Sequence, residues 1–150
     1  MAKTKVEQAN RIVRNYMFGA VGMGFVPIPL VVDLVALSAL QLKMLDSLAN
    51  LYHVEFSKNR GKSLIAALLG GGVPVSFSSN LTHFLKGVPL IDKISMSVLG
   101  GASTYAIGKV FIQHFESGGT FLTFEPKKVA DYYAQQLEIG SEKNWIGQKP

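Results

Sequence analysis

An all-α fold, a compact bundle of about five helices, is predicted by three features of the sequence. Apolar residues recur at spacings of three and four through much of the chain, which is the repeat of a helix face. Glycine and proline clusters cut this pattern into segments of helical length. Val26-Pro27 leads to Asp33 and a long apolar stretch, as Val88-Pro89 leads to Asp92 and another, so the core reads as two helical hairpins followed by a C-terminal amphipathic helix.

The first helix is expected from Lys5 to about Gly24, with Val6, Ala9, Val13 and Met17 on its apolar face. Gly22, Gly24 and Pro27 end it. Pro29 suits the first turn of the second helix, where a missing N–H costs nothing, and Asp33 lies near the positive end of its dipole. That helix is expected to reach Tyr52, with Leu30, Leu34, Leu37, Leu45, Leu48 and Leu51 on one face and Lys43, Asp46, Ser47 and Asn50 on the other. Ser57 is the expected N-cap of a third helix beginning at Lys58.

From Ser63 to Leu85 there is no formally charged residue, a length sufficient to cross a bilayer. Its quality is poor, because Gly70, Gly71, Gly72 and Pro74 interrupt it and Ser76, Ser78, Ser79, Asn80 and Thr82 make its second half polar. A bent, re-entrant or protein-packed segment fits as well as a span. The fourth helix, about Asp92 to Phe115, carries Gly100, Thr104 and Gly108 at four-residue spacing, and such small residues let another helix approach closely. Ser117, Gly118 and Gly119 end it. Pro126 opens a fifth helix through about Ile139, with Gly140 as its stop. One domain over residues 1–140 and a polar tail over 141–150 is the expected organisation.

Composition narrows the function classes. Hydrophobic residues make up 48% and charged residues 17% of the 150, a thin polar coat for the volume it must cover. With no cysteine, disulfides, thiol catalysis and zinc ribbons are excluded. The formal charge of +5 comes from Lys and Arg grouped beside apolar runs, at Lys3, Lys5, Arg11 and Arg14 and again at Lys58, Arg60 and Lys62. No aromatic interleaving or nucleic-acid motif accompanies them, so anionic lipid headgroups are the expected partners of Lys58, Arg60 and Lys62, and nucleic acid is not.

Most motif-like clusters in the chain have a plain structural reading. Gly61-Lys62-Ser63 resembles the end of a phosphate-binding loop, but Phe56 stands where that motif needs glycine, and the first turn of a helix explains it. Gly19, Gly22 and Gly24 end a helix rather than follow a strand, against a dinucleotide site. His53/Glu55 and His114/Glu116 lack a second histidine at ligand spacing, so capping is preferred to metal or acid–base chemistry. No catalytic residue, cofactor or metal site is expected. Asp33 and Gln41 interrupt apolar surface and must be paired. Helix-end electrostatics for Asp33 and an interior hydrogen bond for Gln41 outweigh a polar contact that fixes a partner helix or a polar route through a membrane.

Val26-Pro27-Ile28-Pro29 with Asp33, Gln41, Leu48-Ala49-Asn50-Leu51-Tyr52, Gly61-Lys62, Gly87-Val88-Pro89 and Phe115-Glu116-Ser117-Gly118-Gly119-Thr120 occur in an order that resembles the YcjF-like family of bacterial helical domains of unknown function, over about Val6 to Tyr133. The resemblance implies a helical, membrane-associated module, often linked to a GTPase, and supplies no catalytic residues. A GTPase would here be a separate partner.

The resulting expectation is a non-catalytic, membrane-associated interaction protein at the bacterial inner membrane with cytoplasmic termini. Ser63–Leu85 and Ile94–Phe115 would form its most deeply buried hairpin. The alternatives are a soluble cytoplasmic scaffold that forms homo-oligomers through glycine- and alanine-rich faces, and a small pore lined by Ser76, Ser78, Ser79, Asn80 and Thr82.

Overall fold

The computed structural model describes residues 4–23, 30–68 and 93–142, with side chains over 4–22, 36–68 and 100–140. Five helices pack together in these segments: α1 (Lys5–Met23), α2 (Leu30–Tyr52), α3 (Lys58–Ala66), α4 (Lys93–Glu116) and α5 (Pro126–Glu142). The all-α bundle expected from the sequence is the observed architecture.

Helix α1 starts where Thr4 accepts a hydrogen bond from the Glu7 backbone N–H at 3.1 Å. Its buried stripe is Ala9, Val13, Met17 and Ala20, spaced by four, four and three. Val6, expected on this stripe, is 39% exposed and lies off it. Helix α2 buries Gln41, Met44, Leu45, Leu48 and Ala49. It closes with His53 in the left-handed region at φ 56° while the Val54 N–H reaches back to the Ala49 carbonyl at 2.8 Å. Ser57 caps α3 as expected, its hydroxyl accepting from the Arg60 N–H at 3.3 Å.

Helix α4 is the centre of the bundle and packs on α1, α2 and α5. Contacts of Val13 with Gly108 and Ala20 with Gly100 run α1 antiparallel to it. Gln41 at Ser103 and Thr104, with Tyr52 at Glu116, runs α2 parallel to it. Small residues at the crossings let the three axes come close, as the Gly100, Thr104 and Gly108 spacing predicts, and the helices that approach are the chain's own. At its C-terminus Gly118 takes φ 86° and the Gly119 N–H bonds the His114 carbonyl at 2.9 Å, the same closing geometry as α2.

The turn after α4 folds back and buries Phe121 and Phe124 beside Phe111 and Phe115, with Phe111 and Phe124 stacked at 4.3 Å between centroids. Helix α5 then runs along α4. Gly140 does not stop it: the helix continues to Glu142, and Gly140 is buried where a Cβ would lie 3.1 Å from the Ala102 Cα. Its glycine serves the close approach of α5 to the α4 backbone, a role that carries the same sequence signal as a helix stop.

No described helix is long and apolar enough to cross a membrane. The described parts of the expected membrane hairpin are residues 63–68 and α4, and over residues 100–116 of α4 the apolar side chains of Ala102, Ala106, Ile107, Val110 and Phe111 are all fully buried against protein. Most of Ser63–Leu85, including the polar run from Ser76 to Thr82, lies outside the described residues.

Candidate functional site

A groove of about 650 Å³ opens between α2 and α3. Lys43 stands on its α2 side, and Lys58 and Lys62 stand one helical turn apart on its α3 side. Ala39 and Leu42 from α2 and Ile65 and Ala66 from α3 supply the apolar part of the lining. The three lysines are exposed, and no acidic residue lines the groove among the described residues. The exposed alanines leave the depression that longer side chains would fill.

Local packing sets how close α3 comes. A Cβ at Gly61 would lie 2.8 Å from Leu42 Cδ1, so this glycine is a contact point between the helices. Gly61-Lys62-Ser63 therefore combines a packing glycine with a groove lysine. It lies within α3, not in a loop leading into a helix.

Arg60, grouped with Lys58 and Lys62 as a headgroup contact, points elsewhere. Its Nε–H donates to the Phe121 carbonyl at 3.1 Å and its guanidinium donates again to the Phe124 carbonyl at 3.0 Å. This half-buried fork pins the turn between α4 and α5 onto the start of α3. The two flanking lysines, one on either side in sequence, keep the exposed positions.

Gln41 is fully buried, and its Nε2 donates to Ser103 Oγ at 3.1 Å and Thr104 Oγ1 at 3.2 Å. Both hydroxyls in turn donate to the Gly100 carbonyl, at 3.1 and 2.8 Å. Gln41, Thr104 and Gly100 thus meet in one polar node between α2 and α4, the interior hydrogen bonding expected of Gln41. Among the described residues the Gln41 Oε1 is buried without a partner. Gly108 sits two turns further along α4, against Val13. Pro27 and Pro29 and the side chain of Asp33 lie outside the described residues.

Three residues of the His-x-Glu pairs, His53, His114 and Glu116, serve helix ends and turn contacts. His53 closes α2. His114 Nε2 lies 2.7 Å from the Thr120 carbonyl and 3.2 Å from Thr123 Oγ1, holding the turn. Glu116 accepts from the Tyr52 hydroxyl at 2.6 Å. Partial burial, followed by this carboxylate, pushes the Tyr52 phenol well above its ordinary range. Burial alone does the same to Tyr133. Among the described residues no group of three His, Cys, Asp or Glu side chains is placed to hold a metal ion.

Sequence reasoning missed Lys43 and Ser103. Lys43 was legible as part of a polar helix face, but its place opposite Lys58 and Lys62 depends on where α3 docks. Ser103 directly precedes Thr104, and only the rotation of α4 shows that both hydroxyls reach Gln41.

The family model described as "Domain of unknown function (DUF697)" matches residues 1–139. Magnetosome membrane protein 22 of Magnetospirillum gryphiswaldense is 37% identical over 137 residues, covering 88% of this chain and 70% of that protein. No solved structure matches the chain.

Proposed function

The chain belongs to the family described as domain of unknown function DUF697, and we propose that within it this protein is a membrane-associated helical module that acts by contact with lipid or protein rather than by catalysis. The observation that carries this reading is the groove between α2 and α3, where Lys43, Lys58 and Lys62 border an apolar lining with no described acidic neighbour in it. Positive charge beside apolar surface matches the boundary between headgroups and acyl chains, and each such lysine favours an anionic surface by about 1 kcal/mol. The relative named as a magnetosome membrane protein supports the same placement. The proposed location is the cytoplasmic face of a bacterial inner membrane. A separate GTPase, implied by the YcjF-like resemblance, is the proposed protein partner.

Fractionation of native membranes tests the reading. The protein is expected to sediment with membranes at low salt and to resist a high-salt wash less than a carbonate-resistant integral protein does. Complete recovery in the soluble fraction would reject membrane association and favour the oligomeric scaffold. Co-purification of a GTPase from gently solubilised membranes tests the partner separately.

A further inference from the structure

We infer that the α2–α3 groove is a seat for a single anionic phospholipid, its phosphate held among Lys43, Lys58 and Lys62 and the start of its acyl region lying along Leu42 and the flanking alanines. This rests on the membrane reading above and names the ligand of the same site.

Three features favour this occupant. The groove's volume of about 650 Å³ falls within the range of small-ligand sites, about 300–1,000 Å³. Among the described residues its charge is of one sign and comes from both helices, so an anion in the groove is attracted from either wall. A free anion would leave the apolar lining wet, and an uncharged lipid would leave the lysines without a counter-charge. A phospholipid with a net negative headgroup satisfies both halves. Arg60 does not line the groove; its Nε and one of its Nη groups donate instead to the Phe121 and Phe124 carbonyls.

The test is flotation of the purified full chain with phosphatidylcholine vesicles, with and without phosphatidylglycerol. The wild-type protein is expected to prefer the anionic vesicles. The pair Lys58→Gln/Lys62→Gln should lower that binding by about tenfold to thirtyfold, from the worth of two lysines at an anionic surface. The charge-matched pair Arg11→Gln/Arg14→Gln, on the exposed side of α1, should change it by less than about twofold if the contact is local. Ala66→Trp keeps every charge and fills the groove from an exposed position, and it should weaken binding several-fold with an unchanged thermal midpoint. Equal losses from both charge pairs, or full binding by Ala66→Trp, would overturn the groove as a seat and leave only diffuse attraction. Binding to heparin without preference for phosphatidylglycerol would overturn it in favour of an acidic macromolecule. A protein that fractionates with native membranes yet ignores phosphatidylglycerol refutes this inference alone, whereas a protein absent from native membranes refutes the membrane reading itself.

Discussion

Gly108 of α4 lies directly beneath Val13 of α1: a Cβ at Gly108 would come within 2.5 Å of Val13 Cγ2 and 2.8 Å of Cγ1. Val13 is itself only 2% exposed, so its branched side chain has no free space to move into. This crossing and that of Ala20 with Gly100 fix the separation of α1 from the central helix.

Gly108→Ala is therefore expected to destabilise the fold by about 1–2 kcal/mol, because overpacking outweighs the gain in helix propensity. In a Val13→Ala background the same change should become neutral or stabilising by about 0.5–1 kcal/mol, since the obstructing methyls are gone. Denaturant unfolding of the four proteins measures the coupling. Additive effects would show that the crossing does not set the packing.

How much of this was legible in the sequence depends on whether the cause is local. The stripe of Ala9, Val13 and Met17, the Ser57 cap and the Gly118 terminus follow from residues within a turn or two of one another, and all three are where the pattern puts them. Gly140 shows the limit: a glycine near the end of an amphipathic run signals a stop, but here the Ala102 backbone, on another helix, is what requires it. Arg60 shows the same limit for charge. Its two carbonyl partners lie 61 and 64 residues away, and no composition argument could separate it from Lys58 and Lys62. Gln41 was readable as a polar residue needing a partner, while the identity of that partner waited on the register of α2 against α4.

The Arg60 fork predicts that Arg60→Ala costs about 2–3 kcal/mol and loosens the turn before α5. Arg60→Lys should recover less than half of this, because one ammonium cannot reproduce two diverging N–H groups. Hydrogen exchange should be faster in both variants at the backbone amides of residues 120–124, where Thr120 N–H now bonds Thr123 Oγ1 at 2.8 Å. Unchanged exchange there would show that the aromatic cluster and the His114 contacts hold the turn without the Arg60 fork.

Tyr52 and Glu116 predict a pH signature. The phenol's pKa is raised in the folded protein by partial burial and then by its bond to Glu116, so the stability it contributes is full below the unfolded phenol pKa of about 10 and is lost as pH rises through the folded value. Tyr52→Phe should cost about 1 kcal/mol at neutral pH. The gap between wild type and variant should narrow as pH climbs above about 10, where the unfolded wild-type chain begins to ionise. Equilibrium unfolding at a series of alkaline pH values checks this, and a gap that stays constant would count against the hydrogen bond.

Gln41 yields the least intuitive expectation. Replacing a fully buried residue that makes two hydrogen bonds should be harmful, yet the Ser103 and Thr104 hydroxyl hydrogens are already given to the Gly100 carbonyl. Gln41→Met would remove only a donor from two oxygens that keep their own bonds, and it would also remove the buried Oε1, which has no partner among the described residues. The two effects offset, so the change in unfolding free energy should stay within about 1 kcal/mol. Gln41→Glu keeps the shape but places a carboxyl in the same position, where ionisation should cost about 3 kcal/mol or more at neutral pH. Its folded-state pKa would be raised, so the variant should be most stable below the unfolded carboxyl value of about 4.3 and lose stability as pH rises above it. If Gln41→Met instead proves as damaging as Gln41→Glu, then Oε1 has a hydrogen-bond donor in solution, and a buried water is the group to look for.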